Sequence, residues 1–321
     1  MKQKTITVVV PTYNEQENIP LVYQRVTGIF SNQLPDYKLE FLFIDNYSTD
    51  LSREIILALA EKDRRVKAIF NARNFGFSRS TFYGLTQATG DCAVMMFADM
   101  QDPPEMIPKF VEEWENGYKI ITGVKARSHE NPIMFQIRRL YYFLLKKISD
   151  IEHIEQFNGF GLYDRSFIEV IRNLDDPLPY FRGIVVELGF QRKEVPYMHE
   201  KRQHGKTKFS FFRLYDVAML GITSYSKMMM RMATLIGFAI AIISLIVAGF
   251  TFVHKLLHWN DYPVGNAATT IGVFFFGAVQ LFFVGLLGEY VLSINARTMR
   301  HPLVIEERRI NFEEDVQANC E

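Results

Sequence analysis

Residues 95–105 read MMFADMQDPPE, an apolar run that stops at an acid, a polar pair and two prolines. Met95, Met96, Phe97 and Ala98 have the composition of the end of a buried strand, and Asp99, Gln101, Asp102 and Glu105 follow within seven residues. In an open α/β sheet the ligand crevice lies beyond the carboxyl ends of the strands, so acids at this point are candidates for chemistry. Asp102 and Glu105 have a local alternative. D-x-x-E around Pro103 and Pro104 suits a helix N-cap, a first-turn proline and a capping-box acid, and that is the role expected of them. Asp99 and Gln101 have no such local duty.

Outward from this point the chain alternates. TITVVVP (5–11), LEFLFID (39–45), VKAIFN (66–71), CAVMMFAD (92–99) and KIITGV (119–124) are short apolar or β-branched runs, and the stretches 15–30, 50–62, 78–88 and 104–116 between them are helix-length. The pattern predicts an α/β domain with a mainly parallel sheet covered by helices. The expected strand ends carry PTYNE, IDNYSTD, NARNFG and ADMQD, all polar and three of them acidic. No P-loop is present and no G-x-G-x-x-G follows the first strand, so phosphate cradling of those kinds lacks sequence support. A divalent cation held by carboxylates is the alternative way to neutralise a diphosphate, and Mg2+ needs only one or two of them.

Lys+Arg and Asp+Glu both total 36 in 321 residues, so no global charge steers the chain to nucleic acid. Cys92 and Cys320 are the only cysteines, which argues against a disulfide framework or a cysteine zinc site and for a reducing compartment. The seven histidines, His199 and His204 among them, show no ligand spacing and read as surface or phosphate-contact residues. The apolar run after MKQK is about five residues long and ends at Pro11, too short for a signal peptide. By contrast, no Asp, Glu, Lys or Arg occurs from Met232 to Val253, and two stretches, about 232–253 and 266–290, reach the roughly 20 residues that cross a bilayer as helix. Lys227 and Arg231 precede the first, Arg297 and Arg300 follow the second, and this bias places both termini in the cytoplasm. Residues 209–231, apolar but interrupted by Arg213, Asp216, Ser224 and Lys227, suit an amphipathic helix in the headgroup region. The expected organisation is a cytoplasmic domain over 1–208, this interfacial helix, a two-span membrane domain over 232–292 and a cytoplasmic tail over 293–321.

Taken in order, VVVPTYNE, FIDNYSTD, NFGFSRSTFYG, FADMQDPPE and RQHGKTKFS, followed by paired spans, resemble the family 2 glycosyltransferases, specifically the polyprenyl-phosphate sugar transferases. The resemblance implies a GT-A (Rossmann-like) fold and transfer of a sugar, with inversion, from a nucleotide sugar, most simply a UDP-sugar, to a polyprenyl phosphate in the plasma (inner) membrane. It further implies Mg2+ or Mn2+ as cofactor and a homo-oligomer, a tetramer. Matched residue by residue, Pro11, Tyr13 and Glu15 fall in the base and ribose pocket, with Asp45 and its neighbour Asn46 at the base. Ala98, Asp99 and Gln101 fall at the diphosphate, Asp99 and Gln101 as metal ligands. Arg127 matches an arginine after the fifth strand, counted with Asp99 as catalytic, and Arg202, Gly205, Lys206 and Lys208 match a basic loop that closes over donor and lipid phosphates. Local roles stay open beside these: Asn14 or Asp50 as helix caps, Tyr13 as packing.

Four positions depart from the family pattern. Phe97 and Asn46 stand where acids are usual, and in NGFGLYD Gly159 and Gly161 replace an acid and an arginine. A phosphate monoester has a second pKa of about 6, so a polyprenyl phosphate is mostly dianionic at pH 7 and needs little help from a general base. Two other functions compete. A processive polysaccharide synthase would be expected to carry Q-x-x-R-W and more spans; a non-catalytic nucleotide- or lipid-binding scaffold would account for the missing charges.

Overall fold

The computed structural model describes residues 3–127, 154, 156–199, 266–299 and 301–312, together with 219, 235–240 and a few single positions up to 257. The predicted interfacial helix, apart from Met219, and the basic loop with Arg202, Gly205, Lys206 and Lys208 lie outside the described residues.

The expected alternation is present. Strands β1 (Thr5–Thr12), β2 (Lys38–Asp45), β3 (Val66–Asn71), β4 (Cys92–Met95) and β5 (Ile120–Arg127) match the five apolar runs. Helices α1 (Asn18–Gln33), α2 (Ser52–Lys62), α3 (Phe77–Thr86) and α4 (Ile107–Glu115) fill the intervals, with a 3-10 turn at Pro104–Met106 before α4. The chain continues through β6 (Gly161–Asp164), α5 (Arg165–Arg172), α6 (Phe181–Glu187), β7 (Arg192–Met198), α7 (Asn266–Thr298) and β8 (Glu306–Ile310). The eight strands form one sheet in the order β7-β5-β6-β4-β1-β2-β3-β8. The pairs β1/β2, β1/β4, β2/β3 and β5/β7 are parallel; β4/β6, β5/β6 and β3/β8 are antiparallel. The sheet is thus more mixed than expected, because β6 enters between β4 and β5.

Strands buried on both faces need apolar residues at nearly every position. Val8, Val9 and Val10 of β1 and Phe41, Leu42, Phe43 and Ile44 of β2 are fully buried. Alternate residues feed two cores. One holds Val8, Phe41, Phe43, Phe110 and Trp114, and the other Val9, Leu42, Ile44, Phe82 and Phe167. Cys92 belongs to the first core and burial pushes its thiol up, so it is a packing residue.

The chain divides into two compact units: 1–143, 151–210 and 299–321 form the first, 144–150 and 211–298 the second. In the second, among the described residues, one helix is long and apolar enough to cross a membrane, over Val279–Thr298 of α7, none of it buried. The first predicted span, 232–253, is described only at scattered helical positions. The tail expected to follow the spans returns to the first unit, where β8 pairs with β3.

Candidate active site

The carboxyl ends of β1 and β2 lie side by side, Pro11 opposite Ile44 and Thr12 opposite Asp45. The loops they feed are cross-linked through backbone amides. Asn14 N donates to Ser48 Oγ (2.8 Å), Glu15 N to Ser52 Oγ (2.9 Å) and Gln16 N to Asp50 Oδ2 (3.3 Å). In return Thr49 N donates to Asn14 Oδ1 (2.8 Å) and Leu51 N to Gln16 Oε1 (3.0 Å). Asn14 therefore joins two loops and does not cap α1, with its φ of 55° serving that turn. Asp50 also accepts from Ser52 N (3.0 Å) at the start of α2. A cleft lined by Asn14, Glu15, Gln16, Glu17, Asn18 and Asp50 opens here. Of Pro11, Tyr13 and Glu15, all partly exposed, only Glu15 lines it, and Glu15 Oε2 accepts from Asn18 Nδ2 (2.6 Å).

Asp45 is fully buried. Its carboxylate accepts from Ser48 N (3.1 Å) and Arg53 Nε (2.8 Å), and Arg53 also reaches Asn71 O and Glu307 of β8. Asp45 thus shapes the floor of the loop. Asn46 uses both ends of its amide: Nδ2 donates to Asn74 Oδ1 (3.0 Å), while Oδ1 accepts from Phe75 N (3.0 Å) and Asn71 Nδ2 (3.2 Å). An aspartate cannot donate to Asn74, which gives the departure at this position a structural use.

β4 ends at Met95, earlier than expected, although Met96 N still donates to Val9 O (3.1 Å). Ala98 is buried, and Asp99 and Gln101 are partly exposed in a turn where Asp99 Oδ1 accepts from Gln101 N (3.2 Å) and Met100 has φ 58°. Among the described residues no three His, Cys, Asp or Glu side chains converge to hold a metal. The donor set of one carboxylate and one amide oxygen fits Mg2+ or Mn2+ of the kind that keeps waters and substrate phosphates as its other ligands.

Asp102 and Glu105 depart from the capping role. The residue before the 3-10 turn is Pro103, no side chain caps it, and Glu105 pairs with Arg25 instead (2.6 Å). Asp102 is 1% exposed; it accepts from Tyr197 Oη of β7 and from Asn158 Nδ2 (2.9 Å). His199 Nε2 lies 3.9 Å from it and 2.8 Å from Lys125 Nζ of β5, so His199 is a partly buried partner of this cluster and not a surface residue. Burial pushes the Asp102 carboxyl up to about 6, Tyr197 and Lys125 opposing the shift and Asp99 adding to it. Lys125, Asn158 and Tyr197 were not singled out by sequence, since three separate segments supply them. Arg127, at the end of β5, is opposite Met198 in the register with β7.

Phe97 and Gly159, two of the departures, meet. A Cβ on Gly159 would lie 3.7 Å from the Phe97 ring and 2.9 Å from Met95 Cε, at φ +113°. Phe97 also packs against the half-exposed Phe77, ring centroids 5.2 Å apart. At Gly161 a Cβ would lie 2.2 Å from Ile121 O, so an arginine is excluded there.

Strand-end loops stapled over a mixed α/β sheet, with Asp99 and Gln101 beyond the central β4, suit a nucleotide-sugar enzyme. The family model of Glycosyl transferase family 2 matches residues 7–172, and the chain belongs to that family of enzymes. It is 33% identical to the bactoprenol glucosyl transferase of Shigella phage SfX over 95% of this chain and 99% of that protein. It is 32% identical to a prophage bactoprenol glucosyl transferase homolog of Escherichia coli K12, over 94% and 98%. Among solved structures, the mannosyltransferase PcManGT of Pyrobaculum calidifontis is 17% identical, with 94% of this chain and 86% of that one covered and a TM-score of 0.45.

Proposed function

We propose that this chain transfers a sugar, with inversion, from a nucleotide sugar of the UDP class to a polyprenyl phosphate held in the membrane. The observation that carries the reading is the similarity to the bactoprenol glucosyl transferases, which covers nearly the whole of both chains. The cross-linked loops 13–17 and 46–52 would hold base and ribose. Asp99 and Gln101 would ligate Mg2+ or Mn2+, whose chemistry there is to neutralise charge on the diphosphate leaving group. Arg127, Arg202, Lys206 and Lys208 would offset the charge of two approaching phosphates.

No protein base is required. The acceptor's own second ionisation, near a pKa of about 6, supplies the nucleophile, and the backbone at Gly159 is one that an acid adopts only with strain. The membrane reading has topological support. β8 follows α7 and still belongs to the sheet that precedes it, so any crossing by Val279–Thr298 must be matched by another between the sheet and β8. The stretch 232–253 would provide it, leaving sheet and tail together in the cytoplasm.

The test is a panel of nucleotide sugars offered with polyprenyl phosphate to the full-length protein, reading metal-dependent release of nucleotide and sugar-lipid formation. With the accepted donor, the acidic limb of the pH and rate profile is expected near about 6 and moves when a phosphonate acceptor of different pKa is used. Nucleotide release without sugar-lipid for every donor would refute the acceptor; a limb that ignores the acceptor pKa would refute the base-free step.

A further inference from the structure

A carboxylate buried away from water is a poor stabiliser. Its desolvation offsets the attraction of its partners, and well-packed apolar residues usually do as well or better in its place. Asp102 is such a group, and the capping duty that would have explained it is absent. Its position suggests another use. It directly follows Gln101, and its partners come from segments far apart in sequence: Asn158 from the loop before β6, Tyr197 from β7 and, at longer range, His199, which pairs with Lys125 of β5.

Each partner is itself fixed. Asn158 Oδ1 accepts from Phe160 N (3.0 Å), which holds the turn at Gly159. The Tyr197 ring packs edge-on against Phe160, centroids 5.2 Å apart, and Phe160 packs against Phe110 of α4. On the other side, the Asp99–Gln101 turn contains Met100 at φ 58°, a conformation that a non-glycine residue keeps only when its surroundings impose it. Met100 is buried on one side of Gln101 and Asp102 on the other.

We infer that Asp102 is a positioning residue: through Tyr197 and Asn158 it sets the Asp99–Gln101 turn against the ends of β5 and β7, where Lys125, Arg127 and His199 are carried. The inference rests on the proposed reading of Asp99 and Gln101 as ligands at the diphosphate. It assigns Asp102 to alignment of the two reacting partners, so its loss affects turnover more than donor affinity.

The experiment uses the full-length protein in lipid nanodiscs with saturating Mn2+, and compares Asp102→Asn, Tyr197→Phe and the double variant. Asp102→Asn keeps the shape but replaces one acceptor oxygen by an amide donor, which then faces Asn158 Nδ2 or Tyr197 Oη in place of accepting from it. It is expected to lower kcat by about 30-fold, per folded molecule, with donor KM within about threefold, somewhat less than the roughly 100-fold that misplacement by about 1 Å can cost. Tyr197→Phe keeps the ring and removes only the hydroxyl; a loss of about fivefold is expected, and the double variant should be no worse than Asp102→Asn alone, because the two act through one contact. Unchanged kcat per folded molecule in Asp102→Asn, or losses that multiply in the double variant, would overturn the inference. If the parent protein forms no sugar-lipid, the proposed acceptor fails by itself, and metal-dependent hydrolysis of the nucleotide sugar to free nucleotide then decides. Release about 30-fold slower per folded molecule in Asp102→Asn, with Mn2+ and UDP binding within about threefold, supports the positioning role, and unchanged release refutes it.

Discussion

Two buried acids, one in each half of the sheet, are held in opposite ways. Glu40 of β2 accepts from Lys67 Nζ (2.6 Å), Thr7 Oγ1 (2.7 Å) and Thr89 Oγ1 (2.5 Å). Burial works against its ionisation, but the lysine and the two hydroxyls outweigh it and hold the carboxyl below its ordinary value. Asp102, between β4 and α4, has neutral donors in direct contact and a lysine only beyond His199; burial wins, and the carboxyl rises to about 6. The first acid is placed where its charge is welcome and serves the fold. The second is kept where its charge is costly, which is the usual mark of a group retained for the site.

The largest effect is expected between the halves. Asp99→Asn should lower transfer by about a thousandfold or more while the protein still folds, since on the proposed reading a ligand at the diphosphate is lost; Glu40→Gln should leave kcat per folded molecule within about twofold. Full metal-dependent activity in Asp99→Asn would erase the distinction. Next, Arg53→Ala strands the fully buried Asp45 without its cation and should cost about 3 kcal/mol in denaturant unfolding. A negligible cost would show that Ser48 N alone supports Asp45.

Gly159→Asp tests whether the second half has merely lost an acid. The backbone at φ +113° and the contact with Met95 predict a destabilisation of about 1–3 kcal/mol and lower activity. A gain in activity would mean that the acid is tolerated and useful. The smallest effects lie in pH. Glu40, lowered from 4.5, contributes stability above that value that is lost as pH falls through its folded pKa. Asp102, raised from 3.8, contributes stability that is complete below 3.8 and lost as pH rises through about 6. Between pH 4 and pH 7.5, Glu40→Gln should therefore lose ground to the parent, and Asp102→Asn should gain it, the latter by about 2 kcal/mol in urea titrations. Slopes of the same sign would break the contrast.

The parallel core was legible because strands buried on both faces leave continuous apolar runs, as in TITVVVP and LEFLFID. β6 is four residues long and β7 carries Pro196 and an alternating pattern that buries only Val195 and Tyr197, so neither stands out as an apolar run. β8, EERRI, reads as a charged tail because a sheet edge is commonly protected by charge. At the site, Asp99 and Gln101 were legible from their place after a strand. Asp102 was not, because D-P-P-E imitates a helix start, and its true partners lie 56 and 95 residues further along.

β8 also has a consequence for biosynthesis. It is translated after the 33 residues of α7, so during synthesis β3 remains an open edge until the ribosome has passed residue 310. Glu307, which completes the clasp on Arg53 and so on Asp45, arrives last of all these groups. A nascent chain that stalls in α7 therefore exposes a sticky strand and an unfinished pocket floor. The whole of α7 is therefore made before the sheet edge at β3 is closed.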